Sequence, residues 1–177
     1  MNVNRRNFLK GAAAAGAPFI LPSHIWSAEV KPNDRPGMGF IGMGKQMGGL
    51  LGNFLHQDVQ CLAVCDVDTT RRDAGKKKVD DFYAQNPATG AAGCKAYVDF
   101  RELLARKDID LVCIATPDHW HTVQCLAALR AGKDVYCEKP LTHNVHEAIT
   151  LMKEVDANKR VLQTGSMQRS SKEFRVA

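Results

Sequence analysis

The 177-residue sequence contains no C-x-x-C pair, no unbroken apolar run near 20 residues, and no acidic residue before Glu29. Without an apolar run of roughly 20 residues, no segment is suited to cross a bilayer as a stable helix, and no permanent membrane anchor is expected. Six cysteines are present, but Cys61, Cys65, Cys113 and Cys137 fall within or at the ends of apolar, strand-like runs. Cys61 and Cys65 share one such run, about 13 Å apart at strand rise, which is too far to bridge. They read as small buried hydrophobes. No cysteine pair joins His119 and His121 to make up a metal-ligand set, so no metal is expected. Net charge is also small. The formal +5 includes Arg5, Arg6 and Lys10, and without these three the 24 Lys and Arg fall to 21 against 19 Asp and Glu. A remainder of +2 is an ordinary surface, so nothing in the overall charge implies nucleic acid or an anionic membrane as a partner.

What the N-terminus does have is concentrated. "NRRNFLK" (Asn4 to Lys10) sets paired arginines before Phe-Leu-Lys, and "GAAAAGAPFILP" (Gly11 to Pro22) follows as a short, weakly apolar, acid-free run. This resembles a twin-arginine export signal, read by the twin-arginine export machinery, which carries folded proteins across the membrane. The resemblance implies a signal over residues 1–28, cleavage near Ala28, an exported or periplasmic destination, and a linker over 29–36.

Beyond Pro36 two periods alternate. Apolar runs at 37–42, 59–67, 109–116, 134–138 and 161–165, with a weaker one at 95–99, are separated by helical patterns. Those helices are expected at Lys45 to His56, Thr69 to Ala84, Phe100 to Ala105, His119 to Ala131 and Val145 to Asn158. Strand and helix in alternation predict an α/β fold, a doubly wound parallel sheet of the Rossmann dinucleotide-binding type, over residues 37–168. Gly132 stands where a helix C-terminal cap belongs. "NVHE" (Asn144 to Glu147) reads as an Asn cap with Glu at the third helical position.

In such a sheet the ligand crevice lies beyond the carboxyl ends of the strands. Gly42 and Gly44 follow the first strand and open the first helix, where glycine permits a tight turn and close approach of backbone N–H groups to a pyrophosphate. Asp66 comes 24 residues after Gly42, at the end of the second strand, where a carboxylate accepts hydrogen bonds from both adenosine ribose hydroxyls and repels a 2′-phosphate. NAD is therefore expected over NADP, the basic residues Arg71, Arg72 and Lys76 to Lys78 being read as a solvated helix face. The fourth strand ends in "ATPDHWH" (Ala115 to His121). Thr116 and Pro117 would carry the backbone past the cofactor, Asp118 is expected as a helix cap, and of the two histidines His121 is expected to face the crevice. The fifth strand ends in "VYCEKP" (Val135 to Pro140), which brings Glu138 and Lys139 to the nicotinamide end. There a carboxylate can bind ribose hydroxyls, and an ammonium can polarise a substrate oxygen or shift its proton.

Taken together, "GFIGMG", "CDVD", "DIDLVCIATPDHWH", "AGKDVYCEKPL" and "VLQTGSMQRS" resemble the N-terminal half of the Gfo/Idh/MocA oxidoreductases, continuously from about Gly37 to Ser171. The resemblance implies that Lys139 is the catalytic or substrate-orienting residue and that Glu138 contacts the nicotinamide ribose. It puts Gly42, Gly44, Lys45, Gln46, Asp66, Thr116, Pro117, His121 and Gln168 at cofactor positions. It also implies a carbohydrate substrate (a sugar, an inositol or an oxidised relative) and a homo-oligomer at full length. The family's second α/β domain, which completes the active site, is missing, so residues 169–177 would begin the connection to it. The chain is accordingly expected to be a fragment or truncated product, inactive alone. Met47 departs from the third glycine of the G-x-G-x-x-G pattern. Three readings of function stand: an NAD-dependent dehydrogenase of a carbohydrate hydroxyl, a redox-neutral glycosidase of the same family, and a non-catalytic dinucleotide-binding module. Lys139 weighs against the glycosidase, whose branch tends not to keep that lysine.

Overall fold

The computed structural model describes residues 34–89, 93–170 and 174. The signal at 1–28, most of the linker and most of 169–177 lie outside them. Six strands alternate with five helices: β1 (Gly37–Ile41), α1 (Lys45–Phe54), β2 (Gln60–Cys65), α2 (Thr69–Gln85), β3 (Lys95–Tyr97), α3 (Phe100–Leu104), β4 (Leu111–Ile114), α4 (His121–Arg130), β5 (Asp134–Glu138), α5 (Val145–Asn158) and β6 (Leu162–Gly165). All the pairings are parallel, and the sheet order is β3-β2-β1-β4-β5-β6. The chain runs outward from β1 in one direction and returns to β4 on its other side. That reversal opens a crevice at the carboxyl ends of β1 and β4.

The side chains of the central strands β1, β2 and β4 face two apolar layers, one on each side of the sheet, so these strands read as apolar runs. Met38, Phe40 and Val64 pack with Met47 and Leu51 of α1 and Val79 and Tyr83 of α2. Ile41, Ala63, Val112 and Ile114 pack on the opposite face with Leu103 of α3, Cys125 and Leu129 of α4 and Leu151 of α5. Met47 is 0% exposed in the first layer, so the departure from the glycine pattern puts a core side chain beneath the first turn of α1. All six cysteines are free and buried. Burial pushes the Cys61, Cys65 and Cys94 thiols up to about 12, which keeps them inert.

The helix starts follow from local chemistry. Asp68 caps α2 by accepting from the Arg71 N–H, and Asp99 caps α3 by accepting from the Arg101 N–H. Asn144 caps α5 by accepting from the Glu147 N–H, and Glu147 reaches back to the Asn144 amide and the His143 N–H. Such an exchange satisfies N–H groups that the first turn leaves without partners. The fourth helix begins two residues later than the sequence suggests. Asp118–Trp120 form a 3-10 turn first, and Asp118 accepts from its neighbour, the His119 N–H, and contacts the His143 ring. No described helix is long and apolar enough to cross a membrane.

Candidate functional site

Gly42 follows β1 with φ +87° and donates its N–H to the Cys65 carbonyl at 2.8 Å. A Cβ there would stand 2.7 to 2.9 Å from Thr116 Cγ2, N and Cα. Any side chain would strain the turn and push the loop after β4 away. At Gly44, the N-cap of α1, nothing lies within 4 Å of where a Cβ would be, and no side chain caps the helix. The first-turn N–H groups of α1 are thus left for an anion, at the positive end of the helix dipole. Lys45 and Gln46 are exposed on that turn.

Asp66 follows β2. Its Oδ2 accepts from the Met43 N–H at 2.6 Å and its Oδ1 from the Asp68 N–H at 2.8 Å. With one backbone donor on each oxygen the carboxylate is fixed in direction, and each oxygen keeps acceptor capacity for a hydroxyl. It borders a cavity of about 720 Å³ that also brings together Gly42, Gly44, Thr116 and Pro117. The rest of the lining was not anticipated from sequence: Val67, Asp68 and Arg71 after β2, Val98 to Arg101 after β3, and Trp120 and Gln124. Trp120 stands edge-on to Phe100 with ring centroids 6.3 Å apart, and the Arg101 guanidinium lies 5.0 Å above the Phe100 ring. The signal was available, since Val98 lies just past β3, at the same carboxyl edge as Asp66. Of the basic residues on α2, Lys76 and Lys77 pair with Asp80 and Asp81, and Lys78 donates to the Gly48 carbonyl. Arg71 instead lines the cavity.

Glu138 closes β5 and is 3% exposed. Its Oε1 accepts from the Gln46 amide at 3.2 Å and its Oε2 from the Lys139 N–H at 3.3 Å. Gly165 of β6 makes the room: a Cβ there would lie 2.7 Å from both Glu138 Oε1 and the Tyr136 hydroxyl. Burial, then the charge of Glu138, raise the Tyr136 hydroxyl above its ordinary range. Lys139 is exposed immediately beyond. The 3-10 turn Met167–Ser170 comes to the same place, its Met167 Sδ lying 3.8 Å from the Gln46 amide. Gln168 is in that turn, but its side chain falls outside the description. Lys45, Gln46, His121, Glu138 and Lys139 stand outside the lining of the cavity.

His121 was expected to face the crevice. It is 1% exposed, with Nδ1 at 2.7 Å from the Pro140 carbonyl and Nε2 at 2.9 Å from the Thr116 carbonyl. The ring is drawn inward because the ends of β4 and β5 offer it two acceptors, while His119 is left exposed. Burial works against charge on this ring, but the Cys137 sulfur and the two carbonyls outweigh it and raise His121 to about 9. Among the described residues no group of His, Cys, Asp or Glu is suited to hold a metal ion.

A glycine turn, a bare helix N-terminus, a carboxylate 24 residues beyond Gly42 and a cavity at the sheet reversal define a dinucleotide-binding Rossmann domain. The donor set fits such a cofactor: N–H groups for the pyrophosphate, Asp66 for ribose hydroxyls, and an apolar wall with Phe100 and Trp120. Residues 37–166 match the family model described as an oxidoreductase family with an NAD-binding Rossmann fold, and the chain belongs to this Gfo/Idh/MocA family. Residues 2–21 match the twin-arginine translocation signal sequence, which directs export by that pathway, typically to the periplasm. A glycosyl hydrolase family 109 protein of Shewanella pealeana is 35% identical over 168 residues, covering 83% of this chain and 36% of the relative. The fold resembles scyllo-inositol dehydrogenase from Lactobacillus casei, solved with bound NAD(H) and scyllo-inositol (TM-score 0.68, 23% identity, 80% of this chain and 39% of that one). It also resembles KijD10, a 3-ketoreductase from Actinomadura kijaniata solved with NADP (TM-score 0.69, 22% identity, 80% of this chain and 42% of that one). The chain thus spans a little over a third of the curated relative's length, and the domain is of the NAD(P)-binding type.

Proposed function

We propose that this chain is the cofactor-binding half of an exported oxidoreductase that uses NAD to act on a carbohydrate hydroxyl. The observation that carries the reading is the pair Glu138 and Lys139 at the end of β5, a buried carboxylate held by Gln46 from the first turn of α1 and an exposed lysine next to it. NAD, when bound, supplies a nicotinamide that accepts hydride. The residues of this chain bind and orient it. The N–H groups at Gly44 and beyond receive the pyrophosphate, Asp66 takes the adenosine ribose, and Thr116 and Pro117 pass beside the cofactor. Glu138 would accept a hydrogen bond from a hydroxyl of the second ribose. Lys139, exposed beside it, would face the substrate hydroxyl, polarise its oxygen or shift its proton.

Choice of NAD over NADP rests on Asp66, whose fixed carboxylate would face a 2′-phosphate across a few ångströms. Arg71 on the same cavity wall is 3.9 Å from Asp68, which draws part of its charge.

A second reading is favoured by one observation, the 35% identity to a glycosyl hydrolase family 109 protein. It is the redox-neutral glycosidase, in which the cofactor is reduced and restored within one turnover. Lys139 supports the dehydrogenase. Product analysis on the polypeptide extended to the length of its relatives separates the two: net NADH formation from a free sugar or inositol supports the first, and glycoside cleavage with no net change in NAD supports the second. Failure of this chain to bind NAD at all would defeat both.

A further inference from the structure

We infer that His121 is a positioning residue that works as an imidazolium, donating Nδ1–H to the Pro140 carbonyl and Nε2–H to the Thr116 carbonyl and so tying the loop that carries Lys139 to the wall of the cofactor cavity. The role rests on the proposed place of Lys139 in the reaction, but the protonation state does not.

A neutral imidazole has one N–H and one lone pair, whereas the two oxygens at 2.7 and 2.9 Å are both backbone carbonyls, which can only accept. In either neutral tautomer, one ring nitrogen sets a lone pair against a carbonyl lone pair. At 1% exposure, bulk water has little access to relieve that repulsion. The doubly protonated ring satisfies both oxygens at once. Hydrogen bonds to a charged donor are roughly twice as strong as neutral ones, which suits a ring that bridges two loops.

Among the described residues no acidic side chain pairs with the ring. The titratable group against the ring is the Cys137 thiol of β5, itself raised above its ordinary range by its contact with Cys125 and by burial. From α5, Glu147 is taken by the Thr122 hydroxyl and by the backbone of His143. Asp118 pairs with His143 at the exposed turn, and Glu138 is held by Gln46. The carbonyl dipoles thus face the charge directly, and the two loops they belong to are the ones that carry Thr116–Pro117 and Lys139–Pro140. Gln124, one turn along α4, accepts from the Thr116 hydroxyl at 2.8 Å and steadies the same wall.

The sign of the pH effect follows. The folded ring titrates at about 9 against an ordinary 6.5, so its contribution to stability is present in full below 6.5 and gone once pH has risen through about 9.

The test is long-range ¹H–¹⁵N NMR of the chain labelled at histidine, which reads the protonation of each ring nitrogen. At pH 7.5 His121 is expected to show two protonated nitrogens, with its resonance assigned by its loss in His121→Asn. A wild type in which no histidine shows two protonated nitrogens at pH 7.5 would overturn the inference whether or not the variant folds. The role is read separately. In the polypeptide of full family length, His121→Asn should lower kcat about tenfold or more while the KM for NAD changes less than threefold. Equal loss in both, or loss in neither, would remove the positioning role. Absence of any NAD binding by the wild type would instead count against the proposed function and leave the protonation result standing.

Discussion

Replacing Asp66 with Asn tests structure and cofactor choice in one variant. The carboxylate accepts the Met43 N–H on one oxygen and the Asp68 N–H on the other. Asn has one acceptor oxygen, so one of these backbone donors must face an NH₂ group. A hydrogen bond to a charged acceptor contributes about 1.5–3 kcal/mol, and partial exposure of Asp66 brings the expected loss to about 1–2 kcal/mol. At about 2–4 °C per kcal/mol for a domain approaching 150 residues, that corresponds to a fall in Tm of about 2–8 °C. The cofactor arm is larger. Loss of a charged acceptor for ribose hydroxyls should weaken NAD about 10- to 100-fold, while NADP, no longer opposed by the carboxylate, should bind equally well or better. Scanning calorimetry with and without cofactor, followed by titration with each dinucleotide, reads both arms. An unchanged Tm would refute the hydrogen-bond assignment. Unchanged NAD affinity, or a wild type that prefers NADP tenfold, would refute Asp66 as the ribose acceptor.

Three more outcomes are expected. Gly165→Ala should displace the Glu138 carboxylate and the Tyr136 hydroxyl, cost about 1–3 kcal/mol in urea unfolding and weaken NAD; unchanged binding would show that Glu138 does not need its present seat. In the full-length polypeptide, Lys139→Met should lower turnover roughly 10²-fold or more with little change in NAD affinity, whereas Glu138→Gln should weaken NAD first; near-normal turnover of Lys139→Met would reduce that lysine to a surface charge. Changing Arg5 and Arg6 to Lys should hold folded precursor in the cytoplasm, and equal periplasmic yield would count against the address read in residues 2–21.

Where function depends on neighbours in the chain, the sequence was legible. The glycine of a strand-to-helix turn, the Asn144 and Glu147 exchange at α5 and the left-handed Gly132 (φ +75°) after α4 are short-range features, and each lies where its residue type suggests. The central strands β1, β2 and β4 were legible too, because burial on both faces leaves continuous apolar runs. What could not be read is what the sheet brings together from afar. His121 is drawn from the crevice by carbonyls at positions 116 and 140, from two different strand ends, and no periodicity encodes that meeting. The same holds for Gly165, whose missing side chain accommodates groups at 136 and 138 on the neighbouring strand. The cavity wall at Val98 to Arg101 carries little sequence signal because β3, which it follows, is only three residues long.

The most direct measurement is amide chemical-shift mapping of the chain titrated with NAD. The account predicts saturable shifts at Gly44 to Gln46, at Asp66 to Asp68, at Thr116 and at Glu138 and Lys139, with NADP producing them only at higher concentration. No saturable shifts, or shifts gathered instead at the groove between α1 and α2 near Gly52 and Phe82, would contradict it.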